Sequence, residues 1–195
     1  MVLTPSTMLP LGTKAPDFRL EDVTTGKSIT LETFKDAKVL LVMFICRPCP
    51  YVQHIKEELA KIDRDYKDKI GSIAISANDA EEYPDDAPES LKLFAKEMNY
   101  SFPFCYDATQ EVAKSYTAAC TPDFFLFDAD KKLVYRGELD ASRPSTNIPV
   151  TGKDLRAAID AVLTNEPVNQ NQKPSVGCNI KWRTGNEPSY FIHTV

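Results

Sequence analysis

No apolar run in this sequence approaches the roughly 20 residues that a membrane-spanning helix needs, so no membrane partner is expected. Excess basic charge is also missing. With 23 Lys and Arg against 28 Asp and Glu, the formal charge is −5, which argues against nucleic acid or an anionic membrane surface. Residues 1–10 show neither a basic n-region nor a long apolar h-region, so no secretory signal is expected and the cytoplasm is the expected location. Five cysteines is an odd number, and only Cys46 and Cys49 stand at a motif spacing, which fits a reducing compartment and a catalytic pair better than a disulfide scaffold. A structural zinc site usually shows a second close ligand pair; none exists to join Cys46 and Cys49, although His54, Cys105, Cys120 or Cys178 could be imagined completing one. There is no internal repeat. At 195 residues, with 43% hydrophobic and 26% charged side chains, the chain reads as one soluble globular domain.

An apolar run over residues 39–45 leads directly into Cys46-Arg47-Pro48-Cys49-Pro50. Residues 50–66 follow with Val52, Ile55, Leu59 and Ile62 at helical spacing. A buried strand therefore feeds a helix, with two cysteines at the junction. Residues three apart share one side of a helical turn, so the two sulfurs can face each other. Unpaired N–H groups and the positive end of the dipole at a helix N-terminus stabilise an anion. That anion is expected on Cys46, the outermost sulfur, with the permanent charge of Arg47 beside it. The stretch reads as a redox dithiol.

Around this centre, residues 12–20 and 28–31 predict two short strands paired as a hairpin, and residues 32–34 a helical turn. Gly71 is expected to stop the long helix, and residues 70–76 to form a buried strand reached by a right-handed parallel crossover. The acidic stretch over 78–89, with Glu81, Glu82, Asp85, Asp86 and Glu89, predicts a solvated loop, and Ser90 the N-cap of a helix over 91–98. A strand over 102–106, a helix through Val112 and Tyr116, a strand over 120–128 with a hairpin partner at 133–136, and an amphipathic helix over 151–163 complete the pattern. Residues 1–11 read as a leader of low information, 12–164 as the folded domain, and 165–195 as an extension packed on or near it, anchored by Trp182. Cys105 reads as a small buried hydrophobe and His54 as a half-exposed helical residue one turn beyond Cys49.

A strand, a Cys-x-x-Cys helix and a Thr121-Pro122 pair opening a later hairpin strand resemble the thioredoxin superfamily. Gly12-x-x-Ala15-Pro16-x-Phe18-x-Leu20 is similar to its peroxiredoxin-related branch, and the likeness continues through Tyr135-Arg136-Gly137, residues 149–155 and Gly177-Cys178-Asn179-Ile180-Lys181-Trp182. It covers residues 11–182. It implies an α/β thioredoxin-like fold: a central mixed β-sheet flanked by helices, with an N-terminal β-hairpin and a C-terminal extension. It also implies a thiol–disulfide oxidoreductase in which Cys46 attacks a disulfide and Cys49 resolves the mixed disulfide. Pro122 would then be cis and face the dithiol, and Thr121 would offer backbone groups to a bound peptide.

Pro48 matches many thioredoxins, whereas Arg47 stands where they carry glycine. This should favour the Cys46 thiolate and make the protein more oxidising than thioredoxin's potential of about −270 mV. The buried carboxylate that thioredoxins place six residues before the first cysteine falls on Leu40. The likeness also brings Cys120 near the dithiol, so Cys120 and Cys178 are candidate extra redox thiols beside simple packing roles. The implied partners are a disulfide-containing protein or small molecule and a reductase that the sequence does not identify, with no bound cofactor and no metal. The runner-up is a peroxiredoxin-like thiol peroxidase with antioxidant activity. Its Pro-x-x-x-Thr-x-x-Cys pattern fails at both sulfurs: Val42 and Cys46 precede Cys49, and Val39 and Met43 precede Cys46. Arg136 or Arg143 would have to supply its guanidinium. A metal-binding or non-catalytic redox-sensing module is the third reading.

Overall fold

The computed structural model describes residues 3–191. Its centre is a mixed five-stranded sheet in the order β6-β5-β4-β8-β9: β4 (Leu40–Phe44), β5 (Gly71–Ser76), β6 (Phe104–Tyr106), β8 (Asp123–Phe127) and β9 (Leu133–Gly137). The crossover from β4 to β5 is parallel, as the strand–helix–strand pattern predicts, and β8 runs antiparallel to β4 with Phe44 opposite Asp123. Both faces of the sheet are covered, which is why β4 reads as an unbroken apolar run rather than an alternating one. Leu41, Met43 and Ile45 pack with α1 (Pro50–Asp65), α2 (Pro88–Met98) and α4 (Lys153–Leu163). Leu40, Val42 and Phe44 face the opposite way, into a cluster with Phe34, Tyr116, Phe125, Phe127 and Trp182. There Phe44 meets Phe125 edge-on at 5.9 Å. The short α3 (Glu111–Ser115) leads into Tyr116.

The N-terminal hairpin is present as β2 (Arg19–Glu21) and β3 (Ser28–Thr30), followed by a 3-10 turn over Leu31–Phe34. Several local expectations change. The strand expected over 12–20 is confined to β2, and the one expected over 120–128 divides at Pro122 into β7 (Cys120–Thr121) and β8, which belong to different sheets. Gly71 does not stop α1; the helix ends at Asp65, the left-handed residue is Asp68, and Gly71 opens β5, where a Cβ would lie 2.7 Å from the Phe34 ring. Ser90 is not an N-cap. Helix α2 starts at Pro88, a residue suited to the first helical position because its missing N–H would have no partner there, with Ala87 as cap. The acidic loop is not wholly solvated either, because Asp79 and Asp86 are buried while Glu81, Glu82, Asp85 and Glu89 are exposed.

A second sheet forms from segments far apart in sequence. β1 (Leu3–Pro5), β10 (Val176–Asn179) and β7 (Cys120–Thr121) pair antiparallel in the order β1-β10-β7. Residues 1–11 and the extension thus each supply a strand that is too short to show periodicity. No helix among the described residues is long and apolar enough to cross a membrane.

Candidate functional site: a three-sulfur cluster at the start of α1

Strand β4 ends at Phe44, and the chain turns through Cys46-Arg47-Pro48 before α1 begins, with Cys49 as its N-cap residue and Pro50 at N1. This places both sulfurs at the positive end of the helix. Opposite them is the segment between β7 and β8, where the Thr121–Pro122 peptide is cis. The Thr121 hydroxyl lies 3.2 Å from Cys46 Sγ, and its carbonyl oxygen lies 3.2 Å from Cys49 Sγ. Thr121 therefore touches both sulfurs of the Cys-x-x-Cys pair. Strand β10 adds a third sulfur, with Cys178 Sγ 2.7 Å from Cys49 Sγ. Cys46, Cys49 and Cys178 are only 2%, 3% and 4% exposed, yet all three line one cleft of about 410 Å3 together with Pro48, Asn78, Tyr83, Asp86, Asn179 and Lys181.

The electrostatics differ from the expectation of an anionic Cys46. Cys49 meets Cys178, and its neighbours Cys178 and Cys46 and the N–H of Val52 in the first turn of α1 hold its pKa below the ordinary thiol value. The Cys46 pKa is raised by the neighbouring Cys49 sulfur, by burial and by the charge of Asp86.

Arg47 does not stand over a sulfur. Its guanidinium reaches α2, where it donates to Ser90 Oγ at 2.8 Å and pairs with Glu97 at 3.5 Å. Its backbone N–H donates to Asp86 Oδ1, and Gln53 fastens its carbonyl at 2.6 Å. The residue builds the turn instead of charging the thiol. The carboxylate missing at Leu40 has a counterpart in Asp86, 0% exposed, held at 2.7 Å by Asn78 Nδ2 and pushed up in pKa by burial. Asn78 in turn accepts from the Lys181 N–H, so the acidic loop and the extension are tied together at the cleft. No local pattern distinguishes Asp86 from its exposed acidic neighbours.

The remaining candidates lie elsewhere. Cys120 is buried with its sulfur 3.6 Å from the Pro122 carbonyl oxygen, and burial raises its pKa far above the usual thiol value. Cys105 packs in the sheet core, with burial pushing its pKa up to about 12. His54 is half-buried and sits 3.2 Å from Ser142 Oγ. Arg136 is bound to Leu9 O and Gln172, and Arg143 to Glu138, Asp140 O and Ser142 O, so neither lines the sulfur cleft. Among the described residues, no group of three or more His, Cys, Asp or Glu side chains is arranged to hold a metal.

A mixed sheet whose central strand ends at a Cys-x-x-Cys helix, facing the Thr121-Pro122 segment, defines a member of the thioredoxin superfamily. The family model described as Redoxin matches residues 10–155, most of the chain, and the chain belongs to that family. The "thioredoxin-like protein YneN" of Bacillus subtilis is 29% identical over 119 residues, 60% of this chain, and the match spans 65% of that relative's length. An uncharacterized conserved protein from Geobacillus kaustophilus is 52% identical, with a TM-score of 0.92 over 94% of this chain and 97% of that one. The thioredoxin domain of a thiol-disulfide oxidoreductase from Bacteroides vulgatus shares the fold at 23% identity, with a TM-score of 0.55 over 66% of this chain and 88% of that domain.

Proposed function

We propose that the protein is a thiol–disulfide oxidoreductase that works through Cys46 and Cys49 in a reducing compartment such as the cytoplasm. The observation that carries this reading is that Cys46 and Cys49 both meet Thr121 at the head of α1, its hydroxyl 3.2 Å from one sulfur and its carbonyl oxygen 3.2 Å from the other, and line one cleft. As Cys46 attacks a substrate disulfide, its proton passes to the Cys49 thiolate, the substrate S–S bond breaks, and one half departs as a thiolate. That thiolate takes the Cys49 proton. Cys49 then attacks the mixed disulfide, forming the Cys46–Cys49 bond and releasing the second thiolate. Thr121 holds both sulfurs, and Pro48 closes the turn between them. The partners are a disulfide-containing protein or small molecule and a reductase that restores the dithiol. Among the described residues that line the cleft there is no arginine to bind a peroxide, which favours disulfide exchange over the peroxidase reading.

The test is a side-by-side reaction of the reduced chain with glutathione disulfide and with hydrogen peroxide. Disulfide is expected to react faster, with Cys46→Ser and Cys49→Ser each abolishing catalytic turnover. A faster peroxide reaction would move the protein to the peroxidase class.

A further inference from the structure

Cys178 stands at the dithiol because an extended segment of the chain's own C-terminal part is built into the site. Strand β10 is the middle strand of the small sheet, so Cys178 is paired on one side with Leu3 and on the other with Thr121. Directly opposed residues of an antiparallel pair project to the same side. Thr121 accordingly reaches Cys46 while Cys178 reaches Cys49. The approach of the two strands depends on Gly177, where a Cβ would lie 2.0 Å from the Thr121 carbonyl oxygen and 3.2 Å from Pro122 Cδ. Lys181 lines the same cleft; the contact with Cys49 and burial raise the Cys178 pKa above the ordinary thiol value, and the Lys181 charge and the Tyr51 N–H of α1 offset this only in part. The backbone edge of Thr121 that the thioredoxin likeness would leave to a peptide is therefore occupied by a cysteine-bearing strand of the same molecule.

We propose that Cys178 is a third redox thiol that exchanges with the Cys46–Cys49 disulfide, a step that rests on the dithiol reading above. Cys178 Sγ attacks Cys49 Sγ, and the Cys49–Cys178 bond forms as the Cys46–Cys49 bond breaks. The electron pair leaves on Cys46, and the Cys178 proton ends there. The step is redox-neutral and consumes no further oxidant. It regenerates the Cys46 thiol while the two-electron oxidation is held between α1 and β10.

The test treats the reduced full chain with one equivalent of diamide, blocks remaining thiols with iodoacetamide, and maps linked and alkylated peptides by mass spectrometry. Wild type should contain both Cys46–Cys49 and Cys49–Cys178 linkages, with Cys46 alkylated several-fold more than in oxidised Cys178→Ser, where only Cys46–Cys49 can form. Cys46→Ser should close one intramolecular disulfide, Cys49–Cys178. Recovery of Cys49 and Cys178 fully alkylated in oxidised Cys46→Ser, with Cys46–Cys49 alone in wild type, would overturn the exchange and leave the dithiol reading standing. Absence of the Cys46–Cys49 linkage from oxidised Cys178→Ser would instead overturn the dithiol reading, and the exchange with it.

Discussion

At the scale of single residues, the site turns on which sulfur holds the charge. A thiolate flanked by two thiol donors is stabilised by both, and a flanking thiol is held protonated by the same contact. Cys49 occupies the middle position only because Cys178 arrives from the far end of the chain. Asp86 acts in the opposite sense on Cys46, by repulsion through a buried environment. Asp86→Asn keeps a similar side-chain volume and removes that charge. Its expected effect is a Cys46 alkylation profile displaced to lower pH and a several-fold faster alkylation near neutrality. An unmoved profile would show that the carboxylate is not felt at the sulfur. The same logic sets the redox potential. Stabilising a thiolate stabilises the reduced form, so the dithiol should be more oxidising than about −270 mV, and Cys178→Ser should shift it to a more negative value in glutathione redox buffers. The Arg47 route to that outcome is closed, since the guanidinium is bound to α2.

At the scale of elements, the joint between β10 and β7 is the tightest backbone approach at the site. Gly177→Ala would place a methyl group against the Thr121 carbonyl, and the strand must move to admit it. Overpacking of this kind costs about 1–3 kcal/mol. For a chain of this size that corresponds to a melting-temperature loss of about 2–4 °C per kcal/mol. Amide hydrogen exchange should localise the loosening to β10 and β1, while β4 and α1 remain protected. Uniform loss of protection across β4 would mean that the small sheet supports the whole core rather than only the site.

The molecule as a whole carries a buried carboxyl that makes its stability depend on pH. Asp123 is fully enclosed. Among the described residues its Oδ1 has no hydrogen-bond partner, and burial pushes its pKa from 3.8 to about 7. Because the folded state holds this proton more tightly than the unfolded chain, stability contributed here is greatest below pH 4. It declines as pH rises to 7 and is flat above that. The shift of about three pKa units corresponds to about 4 kcal/mol across that window. Asp86 and Asp107, also raised by burial, add to the decline, while Asp140, lowered by its hydrogen bonds, opposes it. Urea unfolding of Asp123→Asn should therefore show a much shallower loss of stability between pH 4 and 7 than wild type. An identical slope in the two proteins would place the titrating group elsewhere.

Local pattern was enough to determine the apolar strand running into Cys46, the helix over residues 50–65, the parallel return to β5 and the β8–β9 hairpin. Each of these is a matter of period and neighbouring residues, which a linear chain displays directly. Tertiary structure alone decided that Asp86 is buried while Asp85 is exposed, that Arg47 turns to Ser90, and that Cys178 touches a residue 129 positions before it. Those outcomes depend on strand pairing and close packing between distant segments. A two-residue β7 and a four-residue β10 are too short to carry a periodic signature, so the third sulfur that meets Cys49 and lowers its pKa is visible only once the chain has folded.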